Sequence, residues 1–395
     1  MDFARNLQIQ GNFVRFQIKV AGIWIWQLTH YRPHLDEVEP AFRLMKSGTI
    51  KFIKKHGIKL EATGEYVIRI GCLKGEFDEH RPYRGKRKEG ECAATLVAKA
   101  MESSEDAALK YTKANDLYGQ DQKNGLASTL WMLQRMFPSR QEEVVNWGLT
   151  ALKAKDLAAP DSEKFSVDEI AKYVAKKLPK HADAWCKLLA EGRAAQAAAF
   201  AAAVEQVKAE GKVLVIDGPK DKKKKERKLR LLVIQSDNTE VARAARFKDS
   251  GANADIVVVQ NSHGQISISR SARSRLTFFD LAQMLHCEEK KKRGDKTFDT
   301  WRELSSEGSA SDGIWFFAIG SQAVMNGSLT APAIDPTKLS LDSIVEFIKI
   351  AVRPTKFCLP ICWMAGCTSE KDDPCPWYDW GLQRCRKLRN STTEE

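Results

Sequence analysis

The sequence predicts an α/β protein of two domains: an N-terminal domain built on a parallel sheet, a helical linker, and a smaller α+β domain beyond it. Three observations carry this reading. Strand, loop and helix patterns alternate twice within the first hundred residues; the apolar spacing is helical from Asp106 to about Ala158 and from His181 to Glu210; and from Leu229 onward strands alternate with short helices. The length of 395 residues, about two to three times that of a usual domain, agrees with domains over 1–180 and 229–353, a linker over 181–228, and a Cys- and Trp-rich extension over 354–395.

Residues 8–29 alternate and then run apolar, ending in a strand, Ala21 to Thr29, of aromatic and β-branched character. Tyr31-Arg32-Pro33 breaks it. Pro40 is tolerated near a helix start, so the next helix is expected to begin close to Glu39, leaving His30 to Glu37 in the strand-to-helix turn. A second strand, Glu65 to Ile70, runs into a glycine-bearing loop, and a helix follows from about Cys92 to Met101. In such an alternation the ligand site lies beyond the carboxyl ends of the strands. His181 to Glu210, with its Ala-rich tract, reads as one long helix, Lys212 to Asp217 as a strand, and the charge run Gly218 to Lys228 as an exposed connection beside the domain boundary. The second domain opens with a strand, Leu229 to Gln235, and a helix, Thr239 to Phe247. A hairpin, Ala254 to Ser269, turns at Asn261-Ser262-His263-Gly264, and the domain closes with a strand within 313–320 and an amphipathic helix over 340–352.

With 43% apolar and 29% charged residues the chain reads as a globular protein without a membrane span or an export signal. Nine unevenly spread cysteines fit thiols or metal ligands in a reducing cytoplasm, the expected location. Sixty-three Lys and Arg against 51 Asp and Glu leave +12, which favours anionic partners such as nucleotides or nucleic acid. Dinucleotide, P-loop and serine-hydrolase motifs are absent.

Chemistry concentrates in Thr29-His30-Tyr31-Arg32-Pro33-His34-Leu35-Asp36-Glu37, where two imidazoles and two carboxylates fall within eight residues of a strand end. A turn can aim His30, His34 and Asp36 at one point, and imidazole with carboxylate favours Mn²⁺, Fe²⁺ or Zn²⁺ over Ca²⁺. Helix capping and surface hydrogen bonding are the other reading of the same residues. Asp78-Glu79-His80 repeats the chemistry after the next strand. Two clusters suit two ions about 4 Å apart, which together bridge a phosphate, activate water and stabilise the leaving oxygen. Arg81, Arg84, Lys86, Arg87 and Lys88 directly follow, where phosphates need neutralising.

These stretches resemble the DHH-type phosphoesterases, and most of all the metal-dependent exonucleases of the melanocyte-proliferating-gene type. Thr29 to Glu37 is similar to that group's Thr-His-x-x-x-x-His-x-Asp-Glu motif, one residue shorter between the histidines. Phe77-Asp78-Glu79-His80 is similar to its Asp-His-His motif, and Cys92 to Lys99 to the helix after it. The resemblance implies that His30, His34, Asp36 and His80 are metal ligands, with Asp116 as a later acidic ligand and Asp78 or Glu79 completing the centre. It implies Mn²⁺ as cofactor, with Mg²⁺ or Zn²⁺ as alternatives, and hydrolysis of nucleotides or nucleic-acid ends in which Asp36, Asp78 and His80 are catalytic. Arg69 stands where the family carries an Asp, Glu79 where it carries a His, and a Gly-Gly-Gly-His segment is absent. A catalytically inactive RNA-binding or interaction protein on the same scaffold is therefore the rival expectation.

Arg270 and Arg273, just past the hairpin, are candidate phosphate contacts of the second domain. Cys358, Cys362, Cys367, Cys375 and Cys385 are candidates for a structural Zn²⁺, although their gaps of three, four, seven and nine residues lack close knuckles and equally suit buried thiols among the tryptophans.

Overall fold

The computed structural model describes residues 3–11, 13–73, 75–79, 90–220, 226–295, 301–310, 313–327 and 334–352. The fold is mixed α/β with two sheets, and the chain divides into two compact units at Ala198/Ala199. The boundary falls inside one long helix.

In the first unit, β1 (Ala4–Gln10), β2 (Phe13–Val20) and β3 (Ile23–His30) form an antiparallel meander; α1 (Leu35–Ser47), α2 (Ile50–His56), β4 (Ile58–Lys59) and β5 (Tyr66–Arg69) follow. The sheet order is β1-β2-β3-β5-β4. Its parallel pair is β3 with β5, the strand–helix–strand unit that the sequence suggested. The other pairings are antiparallel: residues 4–20 fold back as two extra strands through turns at Gly11 and Ala21-Gly22, where positive φ suits a tight hairpin, and the short β4 pairs back onto β5. Then come α3 (Ala93–Ala100), α4 (Ala107–Tyr118), α5 (Leu126–Met136), α6 (Gln141–Ala158), α7 (Val167–Lys177) and α8 (Pro179–Glu210). The core lies on one face of the sheet, where Phe16, Ile18, Val20, Ile25 and Ile68 meet Val38, Leu44, Val97, Leu130 and Leu149 of the helices. Trp147 and Trp185 stack with centroids 4.7 Å apart, and each indole N–H donates to the other's carbonyl oxygen, so both bury without an orphaned donor.

The helix α1 starts at Leu35, four residues before the expected start at Glu39. The His34 backbone N–H donates to Glu37 Oε2 at 2.8 Å, a capping-box contact that satisfies the helix start early. Pro40 consequently sits inside the helix, one and a half turns in, where its missing N–H forgoes a bond to the Asp36 carbonyl. The result moves Asp36 and Glu37 from a turn into a first helical turn.

The second unit holds a sheet of order β10-β11-β12-β9-β8-β7-β6, antiparallel except for β7 with β8. Its strands are β6 (Lys212–Lys220), β7 (Glu226–Gln235), β8 (Ile256–Gln260), β9 (Ile266–Arg270), β10 (Gly308–Ser309), β11 (Phe316–Ala318) and β12 (Ala323–Asn326), and its helices α9 (Val241–Ala244), α10 (Phe279–Arg293), α11 (Trp301–Leu304) and α12 (Leu341–Val352). The expected hairpin is β8–β9. The strand expected over Lys212 to Asp217, placed in the linker by the domain bounds, is an edge strand that extends to Lys220 and pairs with β7 from Lys212↔Val233 to Lys220↔Glu226, so the described ends of the charge run, 218–220 and 226–228, belong to the second sheet; 221–225 lie outside the described residues. Among the described residues no helix is long and apolar enough to cross a membrane.

Candidate metal centre

Parallel pairing of β3 with β5 sets the ends of both strands at one edge: Leu28 opposes Arg69, and the Ile70 N–H donates to the Leu28 carbonyl at 2.9 Å. The chain leaving β3 enters α1 through the turn 31–34. The chain leaving β5 curls back, its Gly71 N–H donating to the Phe77 carbonyl and its Asp78 N–H to Gly75, so that Asp78 and Glu79 return to the strand ends and are buried there. Gly71 is required. Its φ is +65°, and a Cβ at that position would stand 2.8 Å from Glu37 Oε1. The third contributor is α4, which carries Asp116. Arg43 of α1 clamps the α4 N-cap residue Asp106 with two bonds of 3.0 and 3.1 Å while also binding Glu39.

Two groups of donors converge on this edge. Carboxylate oxygens of Asp36, Glu79 and Asp116 lie within 4.8 Å of one another, and a donor set of His34, Asp36 and Glu37 meets the same limit. Asp36, on the first turn of α1, belongs to both. The N-terminal end of a helix favours the acids in its first turn, but three carboxylates facing one another repel, and burial of Asp36 and Glu79 sharpens the repulsion. Asp36, Glu79, Asp116 and His34 could hold a divalent cation, and an oxygen-rich donor set with one imidazole at its margin suits Mn²⁺ or Mg²⁺ better than the N/S-seeking Zn²⁺.

His30 is in neither convergent group. Its Nδ1 lies 2.7 Å from Glu37 Oε1, and its ring stacks on Phe13. Burial opposes a charge on His30, yet the Glu37 carboxylate, with Glu79 and Asp78 nearby, outweighs it and raises the imidazole to about 9. Burial likewise opposes ionisation of Glu37, and His30 overrides it, lowering that carboxyl to about 2. The pair is thus an ion pair, with Glu37 also accepting the His34 N–H and, through its carbonyl, the Gln27 side chain. Glu37 is the residue that sequence reasoning left out of the site. Its signal was the capping-box spacing from His34 to an acid at the third helical position. Cys72 and Cys92 border the centre; burial first, and then Glu37 and Asp78 for Cys72 or Asp36 and Asp116 for Cys92, push both thiols up to about 12.

Of the other expected residues, His80, Arg81, Arg84, Lys86 and Arg87 lie outside the described residues, as do Cys358, Cys362, Cys367, Cys375 and Cys385. Arg270 ends β9 in the second unit. Arg273 donates to the Arg246 carbonyl at 3.0 Å and to Asn253 Oδ1 at 2.9 Å, so part of its donor capacity serves the fold.

No protein-family model matches the chain, and a search of curated proteins returns no match either.

Proposed function

We propose that the first unit is a metal-dependent phosphoesterase centre that hydrolyses phosphodiester or phosphate bonds of nucleotides or nucleic-acid ends, in a cytoplasmic protein of DHH-like layout with a substrate-gripping second domain. The observation that carries the reading is that Asp36 belongs to two donor groups at once, the arrangement a bridging carboxylate needs. Asp36, Glu79 and Asp116 would hold one divalent ion, Mn²⁺ or Mg²⁺, and His34 with Asp36 and Glu37 would border a second position. Bound there, it activates water and neutralises charge on the phosphate. The protein's own residues do the rest. Glu37 fixes the His30 ring at the rim, leaving an imidazolium that pairs with an anionic substrate, and the Arg43–Asp106 clamp keeps α4, and with it Asp116, against α1.

The test is direct. Elemental analysis of the purified chain, followed by hydrolysis of short oligonucleotides, cyclic dinucleotides and mononucleotides with added Mn²⁺, should return bound metal and product. Product formation that survives EDTA, or an Asp36→Asn variant as active as the parent, removes the proposal. Nucleic-acid binding with a steep salt slope, full metal loading and no product from any member of the panel would favour the non-catalytic scaffold.

A further inference from the structure

Among the described residues two arginines are buried, and the fold treats them differently. Arg43, 5% exposed, is paired with Glu39 on its own helix and with Asp106 of α4. Arg32, 7% exposed, has no carboxylate. Its Nε and Nη1 are buried without an acceptor, and the partner its guanidinium has among the described residues is the Tyr31 ring, whose centroid lies 5.3 Å away. A guanidinium cannot shed its proton to escape burial, as a carboxyl or an amine can. The unpaired charge is therefore a cost that the fold carries at this point, and a cation–π contact returns only a small part of it.

The local backbone holds that charge where it is. Arg32 occupies the turn 31–34, between His30 at the end of β3 and His34 at the start of α1. Its φ is +62°, in the left-handed region that a residue with a Cβ adopts at a cost. Pro33 follows with a fixed ring, and its carbonyl accepts the side-chain amide of Gln134, a residue of α5 with no exposed surface. The turn is thus pinned to the core beside the cation it carries. The positive end of α1 begins two residues on. A strained, anchored turn that keeps an unpaired guanidinium out of water at a helix start is preorganised for an anion.

We infer that Arg32 is a substrate-binding residue that receives an oxygen of an ionised phosphate in the turn between β3 and α1. A neutral ligand would leave the guanidinium as it stands, unpaired; a phosphate oxygen supplies the missing acceptor and the missing charge together. Arg43 shows the alternative, a guanidinium whose acceptors the chain itself provides. The inference rests on the phosphoesterase reading for what becomes of the phosphate, whereas its capture by Arg32 needs no turnover.

The experiment titrates inorganic phosphate into the full chain by calorimetry, in EDTA and again with Mg²⁺, at an ionic strength fixed with chloride. Phosphate should bind the parent, more tightly with Mg²⁺, and Arg32→Gln should weaken that binding about tenfold or more through loss of a charge-assisted hydrogen bond. Arg32→Lys keeps the charge but not the planar fork and should fall between. Lys172→Gln, which removes an exposed charge elsewhere, should leave binding unchanged. Urea unfolding supplies the readout that a structural role would move the other way. Without phosphate, Arg32→Gln should unfold at the parent's midpoint or above it, because what it removes is an unpaired charge; phosphate should raise the parent's midpoint and leave the variant's in place. Equal phosphate binding by parent and Arg32→Gln, no binding in either buffer, or a phosphate-free midpoint lower in Arg32→Gln would overturn the inference. Phosphate binding that depends on Arg32, with no product from any nucleotide or oligonucleotide in Mn²⁺, would sink the phosphoesterase reading alone. Mn²⁺-dependent hydrolysis with the same KM in Arg32→Gln as in the parent would sink this one alone.

Discussion

Both units bury acidic groups, and they equip them in opposite ways. In the second unit Glu289 has no exposed surface, and its two oxygens take the Arg293 guanidinium at 2.6 Å, the Trp315 indole N–H at 3.2 Å, the Lys338 N–H at 3.0 Å and the Thr337 hydroxyl. That carboxylate is completed from within the chain, and it ties α10, β11 and the segment before α12 together. In the first unit Asp36, Glu79 and Asp116 bring oxygens within 4.8 Å of one another. Acid facing donors holds a fold together; acids facing one another repel, and a cation between them relieves that repulsion.

The contrast breaks or sharpens by substitution. The largest effect is expected from Asp36→Asn. Residues that merely support metal ligands cost about 10- to 100-fold when removed, so losing a shared ligand should cost activity about 100-fold or more. In the absence of metal the same variant should change stability far less than it changes activity, because an amide of the same shape relieves repulsion among the three carboxylates. Glu289→Ala should do the reverse, losing about 3–5 kcal/mol of unfolding free energy in urea as the buried Trp315 N–H, the Lys338 N–H and the Thr337 hydroxyl lose their shared acceptor and Arg293 its nearest carboxylate. If the two variants destabilise alike, the first unit's acids are structural and the contrast fails. Mn²⁺ at about a hundredfold excess over its dissociation constant should add about 2.7 kcal/mol, read as slower amide exchange in α1 and α4 with α10 unchanged. Equal slowing in α10 would mean that the ion acts elsewhere.

How much of this was legible in the sequence depends on range. Local patterns were readable: the β8–β9 hairpin announced itself through two apolar runs around Asn261 to Gly264, and the long α8 through its Ala-rich tract. Asp36, Glu79 and Asp116 were expected as ligands through the family resemblance, and the structure brings their carboxylates within 4.8 Å of one another. What failed locally was α1, where Pro40 argued for a late start and the His34–Glu37 cap prevailed. The meander β1–β2–β3 was read as a single run over 8–29, alternating and then apolar, because the turns at Gly11 and Ala21-Gly22 are short and the bulge at Asn6 breaks the alternation. One determinant had no local signal: Asp116 reaches the site through the Arg43–Asp106 clamp, whose partners are 63 residues apart.

The smallest expected effect separates backbone strain from the crowding around Glu37. Gly64 and Gly71 both have positive φ, +69° and +65°, but a Cβ on Gly64 meets nothing within 4 Å while one on Gly71 meets the Glu37 carboxylate. Gly64→Ala therefore reports strain alone, about 1 kcal/mol, and Gly71→Ala should cost more by the work of displacing Glu37. Displacement also has a titration signature. The His30 value of about 9 lies above the unfolded value of about 6.5 and the Glu37 value of about 2 lies below the unfolded value of 4.5, so the pair contributes stability that is full between about pH 4.5 and 6.5, lost as pH rises through about 9 and lost again as pH falls through about 2. In Gly71→Ala the His30 resonances should titrate at lower pH and the loss of stability on going from pH 6 to 9 should shrink, with neither change in Gly64→Ala. Equal costs for the two variants and an unmoved His30 titration would mean that Glu37 yields freely, and that the ion pair at the rim is not held by the glycine turn after β5.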